Sequence, residues 1–275
     1  MLDINTYYNF QPHNFQKKQV SSVFLKPLPF DTVSFKSKNL LVKPSEEITK
    51  EIKNAVTDKK IIGFSSEGVV YDIPDTEYCV KIYNGESTNN FGKWKMDISS
   101  QDKINHIVAR AQNDSVIMKK IEGEPLNWEE KPEEIYNLPK SSYKNLLMQI
   151  SNAYDECLMF DKSPANIIYN KKNNSFTIID FFEPNPDVDV QYRPLQCIFE
   201  ALKARKYDEH SVDLNKKLGI KLLSVVDDEL SKKEEPDFYI NKSDIETLLY
   251  EIYVSQSFKI PEEVVKLRKS IGEKI

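Results

Sequence analysis

The chain contains little glycine, little arginine, few cysteines and no long apolar run. Its 275 residues include 7 glycines, 3 cysteines and four arginines. Three scattered cysteines exclude a disulfide framework or a cysteine-rich zinc site. The absence of an apolar run of ~18 residues excludes a transmembrane helix. The first residues also lack the charged-then-apolar order of a Sec signal peptide, so we expect neither an integral membrane protein nor a Sec-exported one.

Charge and composition narrow the class further. The net charge of −5 and the scarcity of arginine argue against a nucleic-acid-binding protein, which would normally carry a basic stripe. Hydrophobic residues make up 40% and charged residues 29%, as is typical of a globular protein. Residues 1–55 are rich in Asn, Gln, Ser, Lys and Pro, so we expect a partly disordered N-terminal extension. Residues 56–275 are then expected to form the folded domain.

Hydrophobic patterning predicts strands first and helices afterwards. Short apolar, β-branched runs separated by turn residues predict antiparallel strands over residues 60–83. Helical spacing predicts helices over residues 99–114, with Ser99 or Ser100 as N-cap, and over residues 141–160. A hairpin around the polar turn NKKNNS follows, and after Pro186 the pattern is helical to the end. The order predicts an α+β, two-lobed fold.

Two features of the strand region point to phosphate binding. Gly63 and Gly68 bracket a turn between two strands, and a backbone without side chains can offer its N–H groups to phosphate oxygens. On the next strand, Lys81 lies between Val80 and Ile82, so its side chain points to the opposite face from theirs. An ammonium facing the glycine turn could hold a nucleotide's phosphates. Alone, such a glycine turn in a hairpin is more often only a turn, and a solvent-facing lysine accounts for Lys81 as well as a phosphate-binding one.

Three polar residues around the hairpin form the strongest pattern. Asp161 and Asn166 lie five residues apart in a loop after a helix, and Asp180 ends an apolar strand nineteen residues after Asp161. One carboxylate and the amide offer hard oxygen ligands for Mg²⁺, and the second carboxylate remains for an attacking hydroxyl. The spacing therefore indicates phosphoryl transfer, although turn capping would also account for each residue singly.

Together these segments resemble the protein-kinase signature of glycine-rich loop, strand lysine, D-x-x-x-x-N loop and metal-binding Asp. More closely, VIMKKIEGEPL and LMFDKSPANIIYNKKNNSFTIIDF resemble the minimal effector kinases of the NleH and OspG group, which Gram-negative pathogens inject by type III secretion. The resemblance covers about residues 58–185 and extends to about residue 230. It implies a small antiparallel-sheet N-lobe (about 56–120) and a mainly helical C-lobe (about 121–275) with extra C-terminal helices.

The resemblance also implies residue roles. Asp161 would orient and deprotonate the substrate hydroxyl, Asn166 and Asp180 would hold Mg²⁺, and Lys81 would hold the α- and β-phosphates of ATP. The helical glutamate that pairs with Lys81 would be Glu86, with Asp97 and Asp102 as the alternatives.

The remaining expected contacts are with the nucleotide. The turn from Gly63 through Ser65 to Gly68 would cover the nucleotide, and the segment that resembles the hinge between the lobes would meet the adenine edge. The predicted residues of that segment are Met118, Lys120 and Ile121.

The chain departs from the kinase pattern at several positions. Ser65 replaces the middle glycine of the loop, Met159 and Phe160 replace the His and Arg before the catalytic Asp, and Phe182 replaces the glycine of D-F-G. Without that Arg there is no evident receiver for an activation-loop phosphate. No A-P-E segment follows Asp180, so the peptide-docking groove is expected to be curtailed.

The resemblance predicts a bacterial Ser/Thr protein kinase that is secreted into the host cytoplasm and phosphorylates a host protein. Two alternatives stay open. A pseudokinase could use the fold to bind a host protein, such as a ubiquitin-system component. A small-molecule phosphotransferase of the aminoglycoside-kinase type shares the Asp/Asn/Asp logic, although a His usually precedes its catalytic Asp.

Overall fold

The computed structural model of the chain describes residues 46–64, 67–84, 94–95, 98–111, 115–184, 192–206, 208–255 and 260–274. Within these ranges it has seven α-helices and eleven β-strands. None of these helices is both long and apolar enough to cross a membrane. Residues 1–45, most of the predicted extension, lie outside the described ranges.

Six short strands form one antiparallel sheet in the order β1-β2-β3-β6-β5-β4. The strands are β1 (Ile61–Phe64), β2 (Gly68–Asp72), β3 (Tyr78–Tyr83), β4 (Trp94–Lys95), β5 (Ile107–Ala111) and β6 (Val116–Lys119). The strands predicted within residues 60–83 are confirmed. In the observed register Val70 lies opposite Lys81, and Cys79 lies opposite Met118.

A helix that the sequence did not predict packs on this sheet. Helix α1 (Glu46–Thr57) contacts β2, and its Ile52 is fully buried in the small core beneath the sheet. Ile52, Ala55 and Val56 are three and four residues apart, so they share one helix face. Residues 46–55 are therefore helical rather than an extended arm. The domain boundary predicted at residue 55 falls inside α1.

The helix predicted over residues 99–114 is wrong in its second half. Helix α2 (Ser100–Ile104) begins after Ser99, whose side chain accepts a hydrogen bond from the backbone as the N-cap. It ends before His106, which adopts a left-handed conformation with φ 60°. The following residues form β5, where alternate side chains are buried. The spacing of their apolar residues fits both the period of a helix and that of a strand, and the pairing with β6 makes this segment a strand.

The rest of the described chain is mainly helical, with one large hydrophobic core. Its helices are α3 (Lys140–Asp155), α4 (Pro194–Leu202), α5 (Glu209–Leu230), α6 (Lys242–Ser255) and α7 (Glu262–Gly272). Its strands are β7 (Glu124–Pro125), β8 (Met159–Phe160), β9 (Ile167–Asn170), β10 (Ser175–Ile178) and β11 (Phe181–Phe182). Strands β9 and β10 form the predicted hairpin.

The predicted helix at 141–160 ends at Asp155, earlier than expected. After it, Met159 and Phe160 form a strand that pairs with β11. The helices after Pro186 are confirmed in the described residues. The chain is thus α+β, with a six-stranded antiparallel sheet and a mainly helical part, an arrangement compatible with the two-lobed expectation.

Candidate functional site

A cavity of about 640 Å³ lies where the sheet, α2 and the β10–β11 segment meet. The sheet contributes Lys81 and Tyr83 from β3 and Met118 from β6, and the other side contributes Asp180 and its neighbours. The remaining lining residues are Glu67, Ser99, Gln101, Asp102, Asn105, Ile107, Arg110, Leu158, Ile179, Phe181, Phe182 and Glu183. Two of the predicted charged residues, Lys81 and Asp180, therefore line the same cavity.

Lys81 is the cation of this cavity that the sequence predicted. Its neighbours Val80 and Ile82 are buried on the other face of β3, which leaves its half-buried side chain on the cavity face. Its Nζ lies 2.9 Å from Oε2 of Glu67 and 4.9 Å from the centre of the Tyr83 ring. Burial is the largest effect on the pKa of Lys81 and lowers it, but the hydrogen bond to Glu67 and the electrostatic interactions with Tyr83, Glu67 and Asp180 together outweigh burial, so the pKa is raised. The ammonium therefore stays charged, with the Glu67 carboxylate as its partner.

Asp180 lies opposite this lysine, two residues after β10. Burial raises the pKa of Asp180, the positive charge of Lys81 partly offsets this, and the negative charges of Glu67 and Asp161 raise it further. Glu67, Lys81 and Asp180 line the same cavity, whereas Asp161 is not among its lining residues. The ammonium of Lys81 thus shares the cavity with the carboxylates of Glu67 and Asp180.

The loop after β8 fixes Asp161 and Asn166 beside each other. A 3-10 helix (Pro164–Asn166) ends this loop, and the backbone N–H of Asn166 donates to the carbonyl of Ser163 at 3.1 Å. The carbonyl of Asn166 accepts from the N–H of Ile179 at 3.0 Å, which ties the loop to the residue before Asp180. The side-chain Nδ2 of Asn166 donates to Oδ2 of Asp161 at 3.4 Å. The hairpin thus brings the three predicted polar residues together.

The donor set suits Mg²⁺ bound with a nucleotide better than a metal held by protein alone. Among the described residues there is no group of three or more His, Cys, Asp and Glu side chains that could hold a metal ion. Mg²⁺ typically takes one or two carboxylates and completes its shell with water and substrate phosphates. Asp180 and Asn166 fit that role: Asp180 is partly buried near other acids, and the Asn166 amide nitrogen is already directed to Asp161.

The glycine turn is only partly described. Gly68 is required by the sheet, because a Cβ there would lie 2.2 Å from the carbonyl oxygen of Ile82. Gly63 has more room, and its Cβ would meet Val70 at 3.7 Å. Ser65 lies outside the described residues. The close approach of β2 to β3 therefore explains Gly68 without a ligand.

Only one of the three residues that were expected to contact the adenine lines the cavity. Met118 lines the cavity, as predicted, whereas Lys120 and Ile121 are not among its lining residues. The Nζ of Lys120 lies 2.5 Å from Oδ1 of Asp72 and donates to the carbonyl oxygens of Ile73 and Thr76. The side chain of Lys120 is thus committed to the β2–β3 turn.

The described residues place an acid beside Lys81 that the sequence analysis did not name. Glu86 and Asp97 lie outside the described residues, and Asp102 is hydrogen-bonded to Arg110 and to the backbone of Ser99. Glu67 instead contacts Lys81, from the end of the glycine turn. The hairpin register carries the signal for this pair, since Gly68 lies opposite Tyr83 and brings Glu67 towards the end of β3.

A scan against family models gave no match, and a search of curated proteins gave none either. Function is therefore inferred from the residues and their geometry.

Proposed function

We propose that this chain is an ATP-dependent Ser/Thr protein kinase with a minimal two-lobed kinase-like fold. The observation that carries the proposal is that Lys81 and Asp180 line one cavity, while a hydrogen bond from the N–H of Ile179 to the carbonyl of Asn166 ties the adjacent Asp161–Asn166 pair to the segment that carries Asp180. In protein kinases the phosphate-binding lysine is on the third strand, and the metal ligands are the catalytic-loop Asn and the Asp of D-F-G. Here Lys81 is on β3, and Asn166 and Asp180 flank a hairpin.

Each residue has a definite task in this reaction. Lys81 neutralises the α- and β-phosphates of ATP, and its raised pKa keeps it protonated at neutral pH. Asp161 orients the acceptor hydroxyl and takes its proton as the new phosphorus–oxygen bond forms and the bond to the β-phosphate oxygen breaks. Asn166 and Asp180 would hold Mg²⁺, which supplies charge neutralisation at the β- and γ-phosphates.

One observation favours a binding function without turnover. The carboxylate of Glu67 forms an ion pair with the ammonium of Lys81, so a nucleotide phosphate has to displace this carboxylate. A pseudokinase that binds a host protein, such as a component of the ubiquitin system, would tolerate such a block. Because an ion pair whose carboxylate is 59% exposed contributes little stability, a phosphate can displace this carboxylate at small cost, and we favour the active kinase.

The biological setting is proposed from the sequence resemblance alone. A minimal effector kinase of this type would be secreted by a bacterium into the host cytoplasm, where its substrate would be a host protein.

Intact mass after incubation with Mg-ATP tests the activity. The wild type should gain whole phosphate groups, and Asp180→Asn should gain none, while Asp228→Asn, an exposed aspartate paired with Lys140, should behave like the wild type. Addition of AMP instead of phosphate would contradict the kinase proposal. Phosphate transfer to an aminoglycoside but not to any protein would favour the small-molecule phosphotransferase.

A further inference from the structure

The side chain of Asn105, the residue that follows α2, bridges to the backbone next to Asp180. Its Nδ2 donates to the carbonyl of Phe181 at 3.0 Å, and its Oδ1 accepts from the N–H of Phe181 at 2.8 Å. The amide thus satisfies both backbone groups of one residue, as a neighbouring strand would. Phe181 directly follows Asp180, so this bridge fixes the chain on one side of the carboxylate.

The next residue, His106, holds the chain on the other side. Its Nε2 lies 3.0 Å from the carbonyl oxygen of Ile178, and because a carbonyl can only accept, this nitrogen carries the proton. The left-handed conformation of His106 turns the chain sharply at the end of α2. Asn105 and His106 therefore bind the backbone on both sides of Asp180.

Helix α2 is itself anchored to the helical part. Gln101 Nε2 donates to the carbonyl of Glu156 at 3.1 Å, and the hydroxyl of Ser100 donates to the Glu156 carboxylate. At its first turn, Ser99 and Asp102 form a reciprocal capping box. The bridge from Asn105 thus starts from a fixed position, although α2 has only five residues.

We propose that Asn105 is a positioning residue that holds Asp180 in place by pinning Phe181. Its role in phosphoryl transfer rests on the proposed function, whereas the pinning of the backbone does not. Without the bridge, the contacts that the described residues leave to the segment from Ile178 to Phe182 are the short pairing of β11 with β8 and the hydrogen bonds at Ile178 and Ile179. Asp180 would then sample positions in which it cannot act together with Asn166.

The chain offers a matched control for this bridge. Asn215 in α5 makes the same pair of hydrogen bonds to Ala204, with its Oδ1 2.7 Å from the N–H and its Nδ2 3.0 Å from the carbonyl. Neither Asn215 nor Ala204 lines the cavity that contains Lys81 and Asp180. Replacement of Asn215 by Ala removes an equivalent bridge without touching the candidate site.

Hydrogen exchange of peptides that span residues 179–184 tests the pinning without any need for activity. We expect Asn105→Ala to exchange there about tenfold faster or more, because two hydrogen bonds are lost, while Asn215→Ala exchanges like the wild type. Asn105→Asp keeps the acceptor but sets a carboxylate oxygen against the Phe181 carbonyl, so it should also accelerate exchange. Unchanged exchange in both Asn105 variants would overturn the proposal.

Phosphate transfer then tests the positioning role. Asn105→Ala should transfer phosphate about tenfold or more slowly than the wild type and need a higher Mg²⁺ concentration, whereas Asn215→Ala should keep the wild-type Mg²⁺ dependence. A wild-type rate and Mg²⁺ dependence in folded Asn105→Ala would overturn positioning. If the wild type transfers no phosphate but the exchange result holds, the proposed function fails and the pinning of Asp180 stands.

Discussion

The two sides of the cavity hold their charged groups in different ways. On the helical side, Asn166 and the residues around Asp180 are fixed by backbone hydrogen bonds of a hairpin and by the Asn105 bridge. On the sheet side, Lys81 is held by the carboxylate of Glu67, which is largely exposed. A ligand cannot replace the first kind of contact but can replace the second. The helical side therefore acts as a fixed frame, and the sheet side as the part that exchanges partners.

The two sides also differ in their hydrophobic support. The helical part shares one large core that includes Leu146, Leu147 and Phe176, while the sheet and α1 share a much smaller one around Ile52 and Ile117. Buried apolar area is the dominant stabilising contribution in folding. We therefore expect the sheet side to be the less stable of the two.

The largest predicted effect is on the fixed side. Asp161→Ala should lower the initial rate of phosphate incorporation by on the order of 10²–10⁴-fold, because the acceptor hydroxyl loses its base. Asp161 is exposed, so thermal unfolding should change little. Lys162→Ala, which alters the adjacent exposed residue, should keep the wild-type rate. Substantial residual activity in Asp161→Ala would contradict the assigned role.

On the sheet side, two glycines should respond differently to the same change. Gly68→Ala places a Cβ against the backbone of Ile82 and should lower the free energy of unfolding by about 3 kcal/mol or more, the upper end of overpacking costs. Gly63→Ala meets only Val70 at an ordinary contact distance and should change it far less. Chemical denaturation of both variants gives the comparison. Equal losses would show that β1 and β2 are not constrained as described.

A buried carboxylate on the helical side should make stability depend on pH. Asp244 accepts from the backbone N–H groups of Leu195 and Gln196, and burial raises its pKa to about 6 despite these bonds. The folded state therefore binds this proton more tightly than the unfolded state. As the pH rises from about 4 to about 6, ionisation of Asp244 should lower the free energy of unfolding by up to about 3 kcal/mol. Above about pH 6 little further change is expected.

Denaturation of the wild type and Asp244→Asn across this pH range checks the prediction. As the pH rises, the wild type should lose unfolding free energy relative to Asp244→Asn, because Asp244 ionises and Asn does not. A difference that is constant with pH would contradict the raised pKa.

The smallest predicted effect concerns the ion pair between Glu67 and Lys81. Glu67→Gln should change stability by less than about 1 kcal/mol, because ion pairs with an exposed partner contribute little. Mg-nucleotide affinity should rise a few-fold, since the competing carboxylate is gone. Glu122→Gln, another exposed glutamate, serves as the control. Weaker nucleotide binding in Glu67→Gln would mean that Glu67 positions Lys81 rather than competing with the ligand.

Local patterns in the sequence predicted much of the fold and the central residues of the site. Short apolar runs separated by turn residues predict β3 and the β9–β10 hairpin, and with them the positions of Lys81 and Asp180. Asn105 was missed because it contacts a residue 76 positions away, which no local pattern reveals. The sequence predicts helix at β5 because the spacing of its apolar residues fits the period of a helix as well as that of a strand. Only the pairing of β5 with β6 decides between them.

The most direct test of the central claim is calorimetric titration with a non-hydrolysable ATP analogue, with and without Mg²⁺. The wild type should bind the analogue in a Mg²⁺-dependent way, Asp180→Asn should lose that dependence, and Lys81→Met should bind weakly. Lys171→Met, a change at an exposed lysine, should match the wild type. Absence of Mg²⁺-dependent binding in the folded wild type, or unchanged binding in both site variants, would contradict a nucleotide site at this cavity.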